Sequence, residues 1–221
     1  MNNKKVLMLA VFIAMLLSLA GVTGYYMYMQ AHYVRTDDAR VDGAIVKISP
    51  QISGKISDMF VEEGQYVQEG ATVARQVDFT LSPGANLDLA IIKSPVSGTV
   101  IKKIGNAGEV GVPGQPVVTV VDLKGLYITA DVEETELHKV KAGQFVEFTV
   151  DAFPNVNFTG QVSSLGDATV STFSLLPTQN TGGNFTKVVQ RIPVKISIKD
   201  TQGCRLLPGM NAIVKIHIKQ G

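Results

Sequence analysis

The first pattern along the chain is an unbroken apolar one. From Val6 to Met29, VLMLAVFIAMLLSLAGVTGYYMYM, no charged side chain appears across 24 positions. As a helix that run is about 36 Å long at 1.5 Å per residue, enough to cross a bilayer with some tilt. After Asp122 the texture changes to longer runs in which apolar and polar residues alternate, the period of half-buried strands. LYITADV, FVEFTV, FTGQVSSL, VVQRIPVKISI and MNAIVKIHIK all alternate over part of their length. In the last two, Val194, Ile196 and Ile198 share one face, as do Val214, Ile216 and Ile218. Lys195, Ser197, Lys199, Lys215, His217 and Lys219 point the other way. Between the first two runs, EETELHKVKAGQ predicts a short helix ended by Gly143. Five such strands with Gly/Pro turns and one short helix predict a small antiparallel β-barrel over 123–221. Residues 30–45 are expected to hold a linker and the first barrel strand, with the run ARVDGAIVKI (39–48) as the candidate strand, which would make the intervening segment an insertion in the barrel.

That intervening segment repeats itself. VKISPQISGKISDMFVEEGQYVQEGATVARQVD (46–78) and IKSPVSGTVIKKIGNAGEVGVPGQPVVTVVD (92–122) match at a constant offset of 44. Gly54 falls on Gly98, Gly64 on Gly108, Gly70 on Gly114, Val73 on Val117 and Asp78 on Asp122, and Pro50 meets Pro95 after a one-residue slip. A fixed-period match means two copies of one supersecondary unit. Each copy reads as strand, Gly turn, strand, with glycines where turns need positive φ or close backbone approach. Neither copy can bury an apolar face alone, so the two are expected to pack as a small sandwich over 46–122. This half-motif pair resembles the biotinyl/lipoyl carrier domain, whose inter-half turn presents a cofactor-bearing lysine. Here no lysine lies between Arg75 and Ile92, and Lys93 falls in the next strand. No cofactor is therefore expected.

Charge changes the picture at the N-terminus. Lys4 and Lys5 precede the apolar run, whereas Arg35 after it is followed by Asp37 and Asp38. The positive-inside bias then puts residues 1–5 in the cytoplasm, 6–29 across the membrane as a single pass, and the remainder outside, with Tyr25, Tyr26 and Tyr28 at the far interface. A cleaved signal sequence is the alternative, since SLA at 18–20 offers a small-x-small site; export follows either way. The formal net charge is +1, and Lys4, Lys5 and Arg35 supply more than that excess, which argues against a nucleic-acid partner. Cys204 is the only cysteine, so no intrachain disulfide can form.

Candidate chemistry is sparse. His32, His138 and His217 are scattered without ligand spacing, so no metal is expected. Glu133, Glu134 and Glu136 cluster at the start of the expected helix, where negative charge offsets its dipole. No Ser-His-Asp pattern, phosphate loop or HExxH occurs. Asn157 and Asn184 each head an N-x-T sequon of low specificity. STFSLLPTQNTGGNFTKVVQRIPVKI (171–196) stands apart as an apolar tip on a long polar loop. Phe173, Leu175, Leu176, Pro177, Gln179, Asn180, Asn184, Lys187, Gln190 and Arg191 are its candidate partner-contact residues, because loops carry function disproportionately. A barrel-capping loop whose Phe and Leu fold into the core is the competing reading.

These residues carry a family resemblance. YVRTDDARVDG (33–43), SPQISGKI, VEEGQYVQEGATVA, IKSPVSGTV, LYITADVEETELHKVKAGQFVEFTVDAFPNVNFTGQV, FSLLPTQNTGGNFTKVVQRIPVKI and LLPGMNAIVKI are similar to the HlyD family of membrane fusion proteins, in its EmrA-type branch. TDDA and FSLLP…NFTKVVQRIPV are the most specific segments. The resemblance implies a non-enzymatic periplasmic adaptor, anchored in the cytoplasmic membrane, homo-oligomeric, and paired with an efflux transporter. A major-facilitator drug/proton antiporter is the favoured transporter, with an ABC exporter or a stand-alone lipid- or drug-binding role as alternatives. The family inserts a coiled-coil hairpin between the lipoyl halves, whereas FTLSPGANLD closes that gap (79–91) with a simple loop. Contact with an outer-membrane channel is accordingly not expected.

Overall fold

The computed structural model describes residues 3–77, 87–173 and 189–218. In chain order, α1 (Asn3–His32) runs into β1 (Tyr33–Asp42). Then come β2 (Ile45–Ile48), β3 (Gly54–Met59), β4 (Tyr66–Val67), β5 (Thr72–Val77), β6 (Ile91–Lys93), β7 (Gly98–Lys103), β8 (Val110–Gly111) and β9 (Val118–Val121). They are followed by β10 (Tyr127–Glu133), the single turn α2 (Glu134–Leu137), β11 (Phe145–Val150), β12 (Phe153–Leu165), β13 (Arg191–Asp200) and β14 (Asn211–His217). The chain divides into two compact units, one of residues 41–127 with 206–209, the other of 1–40, 128–205 and 210–221.

The first unit is mainly the repeated segment, and it holds two four-stranded sheets, β2-β9-β7-β4 and β6-β5-β3-β8. They share one core, in which Ile48, Ile56, Val73, Ile92, Val100 and Val120 are buried. Each sheet takes two strands from each repeat, so the repeats are interwoven rather than stacked one on the other. The backbone records the exchange reciprocally. Gly64 N–H donates to Val100 O and Gly108 N–H to Ile56 O, both at 2.8 Å. Val100 N–H returns to Gln65 O at 2.9 Å and Ile56 N–H to Glu109 O at 2.8 Å. Gly64 and Gly108 sit at φ +85° and +96°, which L side chains rarely adopt. In both copies the side chain one residue after the glycine closes the turn. Gln65 Oε1 accepts from Glu62 N–H and Glu109 Oε2 from Asn106 N–H, each at 3.0 Å. The Asn106 side-chain amide also donates to Glu109 at 3.0 Å, and these bonds hold the Glu109 carboxyl below its ordinary pKa. Residues 78–86 of the loop joining the copies lie outside the described residues; a 3-10 turn at Leu87–Ala90 leads into β6, which contains Lys93.

The second unit is a closed barrel ordered β1-β10-β13-β12-β11-β14, together with α1. Closure leaves no exposed sheet edge. Its interior is filled from alternate positions, among them Ile128, Val146, Phe148, Phe158, Val162, Val194, Ile196, Val214 and Ile216, all buried. Phe148 and Phe158 stack with centroids 5.3 Å apart. The sixth strand is Tyr33–Asp42, earlier than ARVDGAIVKI suggested; Ile45–Ile48 pairs instead with β9 of the sandwich. In chain order, then, the sandwich is inserted between the first and second strands of the barrel. The expected helix over 133–144 shrinks to α2. Val140 is buried, and Gln144 ties the following turn by accepting from Lys141 N–H and donating to Lys139 O, both at 2.9 Å. Gly143, at φ +88°, belongs to that turn and not to a helix C-terminus.

Candidate functional site

The two segments that the sequence marks as most specific meet on the barrel. β1 bulges between Thr36 and Ala39, which displaces Asp37 and Asp38 from the regular ladder. Thr36 pins the bulge from both sides: its Oγ1 donates to Asp131 O at 3.0 Å and accepts from Asp38 N–H at 3.1 Å. Arg191, entering β13, donates to the Asp38 carboxylate.

Asp131 on β10 lies beside this pair. Its side chain is 7% exposed, with Oδ2 3.6 Å from Arg40 Nη1, and its buried Oδ1 has no hydrogen-bond partner among the described residues. Burial pushes the Asp131 carboxyl above its ordinary pKa and the charge of Asp38 adds to the rise, while Arg40 and Arg191 oppose it. Two carboxylates and two guanidiniums thus form one cluster where three strands, β1, β10 and β13, lie side by side.

Of the candidate contact residues, the structure describes the stem. Ser171 Oγ donates to Gln190 Oε1, Thr169 Oγ1 bonds Ser171 Oγ at 2.9 Å and Thr172 Oγ1 at 3.1 Å, and Glu134 N–H donates to Gln190 O at 2.9 Å. The stem therefore leaves a 3-10 turn at Val170–Phe173 and returns through Gln190 and Arg191 across a short hydrogen-bonded base. The Phe173 side chain and Leu175, Leu176, Pro177, Gln179, Asn180, Asn184 and Lys187 lie outside the described residues. Sequence reasoning missed Thr36, Arg40 and Asp131 as members of the site, although the TDDA motif had pointed to Thr36 and Asp38. Nothing in the cluster supplies a nucleophile with a base, and no group of three or more His, Cys, Asp or Glu side chains is placed to hold a metal among the described residues. The three acids of EETE act as surface groups: Glu136 pairs with Lys139 at 3.0 Å, and Glu133 precedes α2 without a side-chain cap.

A lipoyl-like sandwich of two interwoven half-motifs, inserted in a six-stranded barrel behind an apolar helix, defines the adaptor class of efflux proteins. Solved structures share that fold, among them the periplasmic adaptor protein EmrA (TM-score 0.55, 15% identity, 85% of this chain and 99% of that one). MacA from Actinobacillus actinomycetemcomitans shares it too (TM-score 0.66, 17% identity, 85% and 81%). Residues 126–216 match the YknX-like beta-barrel domain. The putative efflux system component YhbJ of Bacillus subtilis is 40% identical over 185 residues, 84% of this chain and 80% of that protein. The multidrug export protein EmrA of Escherichia coli is 32% identical over 187 residues, 83% of this chain but only 46% of that protein. The chain belongs to the HlyD/EmrA-type family of membrane fusion proteins.

Proposed function

We propose that this protein is the membrane-anchored adaptor of a multidrug or small-molecule efflux system, holding its extracytoplasmic domains beside a transporter in the cytoplasmic membrane. It does no chemistry of its own and needs no cofactor. α1, apolar over Leu7–His32, serves as the anchor, with the N-terminus in the cytoplasm. The observation that carries the site assignment is the Asp38–Arg191 link, which fixes the stem of the 171–191 loop to the first barrel strand. A loop held at its base by charge-assisted hydrogen bonds can present an apolar tip in a defined direction. On this reading Phe173, Leu175, Leu176, Pro177, Gln179, Asn180, Asn184, Lys187, Gln190 and Arg191 form the transporter contact. The EmrA-like relatives favour a major-facilitator drug/proton antiporter over an ABC exporter as partner, and several copies of the chain act together. The chain spans less than half of E. coli EmrA. Because the sequence leaves only residues 79–91 between the lipoyl halves, we read the adaptor as working at the outer face of one membrane. The test is to solubilise native membranes in mild detergent, recover the protein through a C-terminal tag and identify what accompanies it. A polytopic transporter in the eluate is expected, and its type decides between antiporter and ABC exporter. Recovery of the protein alone, even after cross-linking in intact cells, overturns the reading.

A further inference from the structure

Where α1 meets the barrel, the surface opens into a cleft of about 490 Å³, within the ~300–1,000 Å³ range of small-ligand sites. Tyr25, Tyr26 and Met29 of α1 line it, together with Arg35 of β1 and Lys215 of β14. Its height relative to the membrane follows from the helix. About 20 residues at 1.5 Å each fill a hydrocarbon layer of about 30 Å, so a span beginning at Val6 leaves the hydrocarbon near Tyr25. The interfacial layer beyond is about 5–7 Å deep, the rise of four or five helical residues. The cleft therefore begins at the level of the lipid headgroups, and the two tyrosines at its lip are of the type that settles there.

Two cations of the cleft face each other across neighbouring strands. Arg35 and Lys215 are directly opposite in the β1–β14 register, an arrangement of like charges that destabilises a strand pair unless something negative lies between them. Lys215 is otherwise placed 3.9 Å from the centre of the Tyr33 ring and 3.8 Å from Glu147, which faces it from β11. Arg35 forms no ion pair among the described residues. Both also line a second opening of about 220 Å³ that again includes Met29. The cleft carries carboxylates too. Glu136 is held by Lys139, while Asp37 and Glu133 make no ion pair among the described residues. Arg191 also lines the cleft but is held by Asp38, so a free anion finds there the Arg35–Lys215 pair but no partner for the apolar lip or for the acids. A phospholipid headgroup matches all three features: a phosphodiester for the cations, an ammonium for the acids, and a glycerol–acyl stem for Met29 and the tyrosines.

We propose that this cleft holds the headgroup of one phospholipid of the extracytoplasmic leaflet, with Arg35 and Lys215 on its phosphodiester. The bound lipid fixes the barrel at the membrane surface. Of the proposed function, the inference uses only that α1 crosses the bilayer; it does not depend on a transporter.

The test uses the full chain in nanodiscs of phosphatidylethanolamine and phosphatidylglycerol, with incorporation checked first by size exclusion. Failure to incorporate would reject the anchor itself, separately from the lipid site. Native mass spectrometry of the released protein should show one phospholipid retained per copy. Retention should fall at least tenfold in the double variant Arg35→Gln, Lys215→Gln. No retained lipid in the wild type, or equal retention in the variant, overturns the proposal. So does binding of inorganic phosphate to the wild type that matches its binding of short-chain phosphatidylethanolamine, which would make the cleft a plain anion site. Should the variant not fold, a photoactivatable phosphatidylethanolamine decides with wild-type protein. Cross-links on peptides containing Tyr25 to Thr36 and Lys215 are expected, and cross-links confined to residues 6–24 overturn the proposal.

Discussion

Arg191, the first residue of β13, donates to the carboxylate of Asp38 in the bulge of β1, joining positions 153 apart in the chain. Both side chains are more than a third exposed, at 41% and 46%, so solvent screens the pair and its contribution to folding is small, about 0–1 kcal/mol. Its role is directional, since it holds the end of the loop stem against the strand that follows the membrane helix.

Reversing the charge should separate these two effects. Arg191→Glu places two carboxylates together near Asp131 and is expected to lower efflux and transporter capture while changing the melting temperature little. The exchanged pair Asp38→Arg, Arg191→Glu should restore capture at least in part, because the link is regained with opposite polarity. Wild-type efflux in a stable, membrane-located Arg191→Glu protein would remove the loop from the contact.

The strands of the barrel were readable because each alternates against a single interior. The repeat was readable too, from its glycines. What could not be read was the exchange between copies. Ile56 and Val100 occupy equivalent positions, so the sequence offers Gly64 two acceptors of the same kind, and only the fold selects Val100. Asp131 was hidden for a different reason. In TADVEE it looks like an ordinary outward residue, yet Ala130, Asp131 and Val132 are all buried. Neighbouring β1 contributes the contacts that the local pattern lacks, through Thr36 and Arg40. The short helix misled because Glu, Leu and Lys favour helix, whereas burial of Val140 and the Gln144 turn divert the chain after one turn.

Asp131 gives the barrel a pH dependence with a definite sign. Its folded-state pKa is raised, chiefly by burial, so the folded protein holds the proton more tightly than the unfolded chain does. The stability this contributes is fully present below the unfolded carboxylate value and is lost as pH rises through the raised folded value. Asp131→Asn is neutral throughout and should flatten that decline. Denaturation midpoints of the two proteins, followed from pH 4 to 8, should therefore diverge in favour of the variant as pH rises. Parallel curves would mean that Arg40 and Arg191 compensate the buried charge fully.

In the sandwich, two glycine substitutions should rank by the space available to them. A Cβ at Gly98 would meet Val121 O at 2.5 Å and Val120 Cγ1 at 2.8 Å, both on the paired strand, so backbone must move. Gly98→Ala is expected to destabilise by about 3 kcal/mol. A Cβ at Gly64 meets nothing within 4 Å, and only its φ of +85° opposes substitution, at about 1 kcal/mol. Chemical denaturation of the two variants checks the order. Equal losses would mean that β7 and β9 can separate without disturbing the shared core.

The stem of the 171–191 loop offers the sharpest test of what the loop does, because its hydrogen bonds can be removed without touching the tip. Ser171→Ala deletes the donor to Gln190 and the contact with Thr169 Oγ1 but leaves the backbone bond from Glu134 N–H to Gln190 O, and because the stem is exposed the fold should lose no more than about 1 kcal/mol. If the loop must be aimed, this variant should recover less transporter than wild type in detergent pull-downs, in the same direction as Phe173→Asp but to a smaller extent. If Phe173 and the leucines instead cap the barrel, the ranking inverts. Phe173→Asp would then lower the melting temperature by several degrees through burial of a charge, while Ser171→Ala would leave capture unchanged. Melting temperature and partner recovery measured on the same two variants therefore assign the apolar tip either to the core or to the partner.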